Sequence, residues 1–157
     1  MFVSDSTSSP DEAPTSDTAM SPSGVEPEVL VVDDTPAVRE LLDAALRADG
    51  ISVRQAADGR EAEAVCRARG SLIGLILMDV QMPVMTGPEA LAAIRRFAPA
   101  VRCWFMSGDL GGHTEAGLFA CGAERVLAKP FRIEEVRALV GGHFRSLRPC
   151  GETVGAN

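Results

Sequence analysis

Five polar residues stand out because each directly follows a short apolar stretch of the chain. They are Asp33, Asp34, Asp79, Ser107 and Lys129. Lys129 is the single lysine among fifteen basic residues, the rest being arginine. Brought together, three carboxylates, a hydroxyl and an ammonium group provide what phosphoryl transfer to a carboxylate needs: a nucleophile, ligands for a divalent cation and donors to phosphoryl oxygens.

The apolar stretches are typical of strands buried on both faces, because they are short, continuous and rich in β-branched residues. We predict strands over residues 29–32, 51–56, 75–78, 101–106 and 125–128. Helical spacing of apolar residues predicts helices over residues 36–49, 60–69, 87–97, 112–120 and 133–144. Thr35 is expected to cap the first helix through its hydroxyl group. This alternation predicts an α/β fold with a parallel sheet and helices on both faces.

The carboxyl ends of parallel strands lie along one edge of a sheet, where ligands bind. The five polar residues should therefore converge on one site. Taken singly, each has an ordinary structural role, such as an acid at a helix start or a serine in a turn. Mg²⁺ prefers carboxylate oxygens, and together with the Lys129 ammonium group it would balance the three negative charges. Asp79 follows the third of five strands, so it is the expected nucleophile.

Composition and charge restrict the class of protein. The 157 residues carry a net charge of −7, which argues against general nucleic-acid binding. No apolar stretch approaches the length of a membrane span, and no secretory signal is visible. The cysteines are scattered without a metal-binding spacing, which favours reduced thiols and a cytoplasmic location. They are Cys66, Cys103, Cys121 and Cys150.

Four stretches, VLVVDDTPAVRELL, LILMDVQMPVMTG, WFMSG and AERVLAKPF, resemble the receiver domain of response regulators, the phosphorylatable module of two-component signalling. The resemblance covers residues 28–146. It implies a doubly wound, flavodoxin-like fold with a five-stranded parallel sheet in the order 2-1-3-4-5 and five helices. Residues 1–27, which are rich in Ser, Thr, Pro and acids, are predicted to form a disordered leader. Residues 147–157 are predicted to be a flexible tail.

The resemblance also implies roles for individual residues. Asp79 would accept a phosphoryl group from a histidine kinase or a phosphotransfer protein. Asp33 and Asp34 would hold Mg²⁺ together with Asp79, and Gln81 would offer its backbone carbonyl to the same ion. Such a protein would be a Mg²⁺-dependent phosphoacceptor that dephosphorylates itself, rather than a metabolic enzyme.

Lys129 would pair with the Asp79 carboxylate and then with the phosphoryl oxygens, and the Ser107 hydroxyl would bond the phosphoryl group. Pro130 follows the lysine, in the family often through a cis peptide bond. One residue departs from the family. Val126 stands where an aromatic residue often moves inward upon activation, so any switch would depend on movement of the loop after Ser107 and of the fourth helix.

The expected function is a phosphorylation-dependent signalling switch that acts as a stand-alone receiver. Phosphorylation would change a protein-binding surface on the last two helices and the strand between them, and a downstream protein rather than DNA would be the target. Val126 also leaves open a receiver-like binding module that phosphorylation does not switch. A hydrolase is a weaker alternative, because Gln81 occupies the position where such enzymes use a second acid.

Overall fold

The computed structural model describes residues 26–108 and 112–147 and shows a five-stranded parallel sheet between two layers of helices. The strand order is β2-β1-β3-β4-β5, which confirms the doubly wound architecture. The strands are β1 Glu28–Val32, β2 Ser52–Ala56, β3 Ile73–Asp79, β4 Cys103–Ser107 and β5 Arg125–Ala128. The helices are α1 Pro36–Ala48, α2 Gly59–Arg69, α3 Gly87–Arg95, α4 Glu115–Ala120 and α5 Ile133–Leu147, with a short 3₁₀ helix at Gly70–Leu72.

The core has two halves, one on each face of the sheet, because successive strand residues point to opposite faces. In β1, Leu30 and Val32 pack on one side under α2, α3 and α4. Val29 and Val31 pack on the other side under α1 and α5. The same alternation places the β4 neighbours Phe105 and Trp104 on opposite faces, one in each half of the core.

Two predictions about helix starts need correction. Thr35 occupies the N-cap of α1, but its hydroxyl group makes no capping hydrogen bond. The Asp33 side chain accepts from the backbone N–H of Thr35 instead. The fourth helix does not begin at Gly112 but at Glu115, because Thr114 caps it by accepting from the backbone N–H of Gly117.

The loop from β3 to α3 is closely packed and strained at the carboxyl end of β3. Thr86 and Glu89 form a reciprocal capping box at the start of α3. Gly87 lies so close to the backbone carbonyl of Asp79 that a Cβ atom there would collide with it. Val84, in the same loop, adopts a left-handed conformation with φ of +74° and is 74% exposed. A β-branched residue rarely takes this conformation.

No helix in the described parts of the chain has the length and apolar character needed to cross a membrane. The predicted leader, apart from Glu26 and Pro27, lies outside the described residues. The predicted tail also lies outside them, apart from the backbone of Leu147.

Candidate functional site

Asp33 is fully buried at the end of β1, and both of its carboxylate oxygens accept hydrogen bonds. Oδ1 accepts from the backbone N–H of Thr35 at 2.9 Å, and Oδ2 accepts from Nζ of Lys129 at 2.7 Å. The backbone N–H of Asp33 donates to the carbonyl of Ala56, which extends the pairing of β1 with β2. These contacts hold the side chain in one orientation at the edge of the sheet.

Asp34 and Asp79 complete a cluster of three carboxylates. Asp34 is exposed, whereas Asp79, the last residue of β3, is only 6% exposed. One carboxylate oxygen from each of Asp33, Asp34 and Asp79 lies within 4.8 Å of the others. The predicted convergence of these acids is therefore what the structure shows, and the cluster is consistent with binding of a metal ion.

Lys129 brings the only lysine ammonium group of the chain into this cluster. Its backbone N–H donates to the carbonyl of Ser107, and a cis peptide bond joins it to Pro130. Its Nζ lies 2.7 Å from Oδ2 of Asp33 and 3.4 Å from Oδ1 of Asp79. The lysine therefore contacts two acids on different strands, and its closer contact is with Asp33.

Ser107 and Gln81 lie beside the cluster in positions that differ in burial. Ser107 ends β4 and is buried. Asp79 pairs with Met106 in the strand register, so Ser107 lies one residue further along the neighbouring strand. Gln81 is exposed in the loop that follows β3, two residues after Asp79. The five polar residues and Gln81 thus all lie at the carboxyl-terminal edge of the sheet.

Burial and the negative charge of the cluster both weaken the acidity of Asp79. Burial and the charge of Asp33 raise the pKa of Asp79 from 3.8 to about 6, although Lys129 opposes the change. Burial favours the neutral form of Lys129, but the hydrogen bond and charge of Asp33, with a further contribution from Asp79, raise its pKa above 10.5. Further positive charge in the cluster would relieve the repulsion among the acids.

One residue that contacts the acidic loop, the turn after β1 that carries Asp33 and Asp34, was not predicted from the sequence. Arg39, in the first turn of α1, donates from Nη1 to the backbone carbonyl of Asp33 at 2.7 Å. It also donates from Nε to Oε1 of Gln55 in β2 at 3.3 Å. The signal in the sequence was weak, because an arginine on a partly exposed helix is most often a solvated residue.

Val126, the departure from the family pattern, is partly buried in β5 and packs against the half of the core under α2, α3 and α4. It pairs in register with Phe105 of β4, which is fully buried. On the edge strand β5, a valine side chain therefore lies next to Phe105 in this half of the core.

Comparison with known proteins agrees with this fold. Residues 29–141 match the family described as the response regulator receiver domain. The chemotaxis protein CheY4 of Vibrio cholerae superposes with a TM-score of 0.67 at 31% identity, covering 74% of this chain and 98% of that chain. A CheX–CheY–BeF₃–Mg²⁺ complex from Borrelia burgdorferi gives a TM-score of 0.70 at 26% identity, covering 77% and 91%. The chain belongs to the response regulator receiver domain family.

Curated relatives include proteins of several architectures. The probable transcriptional regulatory protein TcrX of Mycobacterium tuberculosis is 36% identical over 109 residues, 69% of this chain and 45% of its own length. The sensor histidine kinase AruS of Pseudomonas aeruginosa is 36% identical over 118 residues, 73% of this chain and 12% of its own length. The chain thus spans less than half the length of both relatives. Membership of the family supports a phosphorylation-dependent signalling switch.

Proposed function

We propose that this receiver domain takes a phosphoryl group on Asp79 from the phosphohistidine of a histidine kinase or phosphotransfer protein. The observation that carries the proposal is the contact of the Lys129 ammonium group with the Asp79 carboxylate inside a cluster of three acids. An ammonium group in that place can bind the oxygens of a phosphoryl group as they approach the carboxylate. The identity of some relatives as sensor kinases supports a histidine donor.

Mg²⁺ is the proposed cofactor, because the site offers hard oxygen ligands and an excess of negative charge. Asp33, Asp34 and Asp79 would hold the ion, and the backbone carbonyl of Gln81 would add a neutral oxygen. The raised pKa of Asp79 supports this fit, since burial and repulsion from Asp33 both disfavour the charged carboxylate and a bound divalent cation would favour it. When bound, the ion neutralises charge on the phosphoryl oxygens. The related Borrelia complex contains Mg²⁺ and BeF₃.

In the proposed transfer, an Asp79 carboxylate oxygen forms a bond to phosphorus while the bond from phosphorus to the histidine nitrogen breaks. The ring nitrogen keeps the electron pair of the broken bond, and the ring, protonated on its other nitrogen in the donor, leaves as neutral imidazole. Lys129 then donates to a phosphoryl oxygen, and the buried Ser107 hydroxyl donates to another. Attack by water on the acyl phosphate later releases inorganic phosphate and regenerates the carboxylate.

The output of the switch is proposed to be a changed protein-binding surface on α4, β5 and α5. Ser107 ends β4 and Lys129 directly follows β5, the two strands that flank α4 in the chain, so a phosphoryl group bound to both would act at each side of this region. Val126 offers little apolar area for an inward movement, which leaves the backbone after Ser107 and α4 as the moving parts. We propose a cytoplasmic location, which the free thiols of Cys66, Cys103 and Cys121 support.

The test is phosphorylation of the full chain with acetyl phosphate and Mg²⁺, read by intact mass. We expect the mass of one phosphoryl group on the wild type, and none with Asp79→Asn or after chelation of the cation. Asp43→Asn is the matched control, because Asp43 pairs with Arg47 on α1, apart from the acid cluster. Phosphorylation of Asp79→Asn to the wild-type extent would refute the assignment.

Hydrogen exchange distinguishes a switch from a binding module that phosphorylation does not alter. We expect phosphorylation of the wild type to change exchange within residues 112–147, where α4, β5 and α5 lie. The same measurement on Asp79→Asn treated with acetyl phosphate should show no change. If the phosphorylated wild type exchanged like the unphosphorylated protein throughout this region, the proposed switch would be wrong.

A further inference from the structure

Arg39 ties the acidic loop to the neighbouring strand through two separate hydrogen bonds. Nη1 donates to the backbone carbonyl of Asp33 at 2.7 Å, and Nε donates to the side chain of Gln55 at 3.3 Å. Arg39 itself is partly buried on α1, and Gln55 is partly buried on β2. The guanidinium group thus bridges the end of β1 to β2 from the side of the first helix.

The carbonyl that Arg39 binds belongs to the peptide unit between Asp33 and Asp34. This unit is planar, so a hydrogen bond to its oxygen restrains the direction in which the chain leaves Asp33. The Asp33 side chain is already held by Thr35 and Lys129. The exposed Asp34 side chain instead depends on the backbone that carries it. Arg39 therefore restrains the relative placement of the two carboxylates.

We propose that Arg39 is a positioning residue for the divalent cation, which holds the Asp33–Asp34 peptide so that both carboxylates face one ion. The proposal rests on the function proposed above, because it concerns the cation that phosphorylation requires. Arg39 does not contact the ion or the phosphoryl group. It acts through the backbone of Asp33, as residues in contact with metal ligands do when they fix the direction of those ligands.

The same helix provides a matched control. Arg47 also lies on α1 and also binds β2, donating from Nη2 to the backbone carbonyl of Val53 at 2.6 Å. It pairs with Asp43 and is remote in sequence from the acidic loop, two turns further along the helix. Arg39→Ala and Arg47→Ala each remove one arginine bridge between α1 and β2, but only the first changes a contact of Asp33.

Binding of Mn²⁺ and of Mg²⁺ to the full chain, measured by calorimetry, gives the first readout. We expect Arg39→Ala to raise the Kd for either cation about 10-fold, whereas Arg47→Ala leaves it unchanged. Arg39→Lys keeps the charge but loses the fork of donors that reaches both acceptors. Its Kd should therefore lie nearer to that of Arg39→Ala than to that of the wild type.

The rate of phosphorylation by acetyl phosphate gives the second readout. For Arg39→Ala, we expect the Mg²⁺ concentration at half-maximal rate to rise about 10-fold, with recovery of the rate at saturating Mg²⁺. A purely structural defect would lower the maximal rate instead. Gln55→Ala, which removes only one acceptor, is the second variant and keeps the test open if Arg39→Ala folds poorly; it should shift the Kd in the same direction by less.

Two results would overturn the proposal: equal cation affinities for Arg39→Ala and Arg47→Ala, or a wild-type Kd for Arg39→Lys. The first would make Arg39 an ordinary helix-to-strand contact, and the second would reduce its effect to charge alone. Failure of the proposed function is a different outcome. In that case the wild type would take up no phosphoryl group, while the Kd differences among these variants would stand.

Discussion

The two edges of the sheet differ in the number of cations that neutralise their carboxylates. At the carboxyl-terminal edge, Asp33 and Asp79 share the single ammonium group of Lys129, and Asp34 adds a third carboxylate to the cluster. At the amino-terminal edge, Glu28 of β1 is paired with two guanidinium groups. Burial and Asp33 raise the pKa of Asp79 to about 6, whereas the arginines lower that of Glu28. A carboxylate paired with two cations stabilises the fold. A cluster with more carboxylates than cations leaves a site that can accept further positive charge.

The backbone conformation is also less favourable at the carboxyl-terminal edge than at the amino-terminal edge. At the amino-terminal edge, the residues with positive φ are glycines, including Gly50 after α1 and Gly70 after α2. At the carboxyl-terminal edge, Val84 takes this conformation despite its branched side chain. Val84 is the only non-glycine residue with a positive φ among residues 26–108 and 112–147. Unfavourable charge and unfavourable backbone thus occur together beside the candidate site.

The largest predicted effect comes from adding one methyl group at the carboxyl-terminal edge. Gly87→Ala should lower the free energy of unfolding by about 3 kcal/mol, because its Cβ would meet the backbone carbonyl of Asp79 and the ring of Phe105. Gly74→Ala, on β3 near the other edge, is the comparison. Its Cβ would meet Phe144 and Pro27 side chains, which can shift, so we expect a loss of about 1 kcal/mol. Urea unfolding measures both, and equal losses would contradict the difference.

Removing the charge of Glu28 should destabilise the protein. Glu28→Gln leaves Arg54 and Arg69 without their carboxylate, and we expect a loss of about 2 kcal/mol at pH 7, since both arginines are partly exposed. Chemical unfolding with and without the substitution measures the loss. Glu63→Gln is the control, because its i,i+4 pair with Arg67 lies at the surface of α2.

The effect of Glu28 should also depend on pH. Burial favours its neutral form, but hydrogen bonds from Arg69 and Arg54 outweigh burial and hold its pKa below 4.5. Its contribution is therefore complete above about pH 4.5, the unfolded value, and is lost as pH falls through the lower folded value. The difference in Tm between wild type and Glu28→Gln should shrink in that acidic range. A difference that stayed constant down to pH 3 would contradict the ion pair.

Removing a charge at the carboxyl-terminal edge should instead stabilise the protein. Asp79→Asn, measured with a chelator present, should raise the free energy of unfolding by about 1–2 kcal/mol at pH 7, because burial and the charge of Asp33 disfavour the charged Asp79 carboxylate in the folded protein. The variant also tests the trade between stability and activity, since it removes the proposed phosphoacceptor. A loss of stability would show that the contact with Lys129 outweighs the repulsion from Asp33.

The smallest predicted effect concerns the backbone of the β3–α3 loop. Val84→Asn should stabilise the protein by roughly 0.5–1 kcal/mol, because asparagine tolerates a left-handed conformation better than a β-branched residue. Val84→Thr is the control, since it makes the exposed side chain polar but keeps the branch. Thermal unfolding of the two variants separates polarity from backbone conformation, and equal stabilisation would exclude the conformational explanation.

Much of the fold was predictable because buried parallel strands are written in the sequence as continuous apolar stretches. VLVV and LILM lie within β1 and β3, and β5 has the predicted bounds. The prediction was least accurate where local hydrogen bonds decide the structure. The Thr35 hydroxyl group makes no capping bond while the Asp33 carboxylate accepts from the Thr35 N–H, and Thr114 determines where α4 begins. Residue type alone does not reveal which of two polar groups forms such a bond.

The convergence of the acids, Ser107 and Lys129 was predictable because parallel strands align their carboxyl ends. The relative distances from Lys129 to the two acids that it contacts were not predictable. The lysine lies closer to Asp33 than to Asp79, which depends on side-chain packing across three strands. The bond from Arg39 to the Asp33 carbonyl was likewise invisible, because it joins a helix side chain to a backbone atom.

The single lysine has a practical consequence for solution work. A reagent that acylates primary amines has one side-chain target in this chain, Lys129, and the chain's amino terminus as a second. Because its carboxylate neighbours keep that amine protonated, acylation should be slow in the native protein and fast after denaturation. The rate of labelling of this one nitrogen atom would thus follow occupancy of the acid cluster.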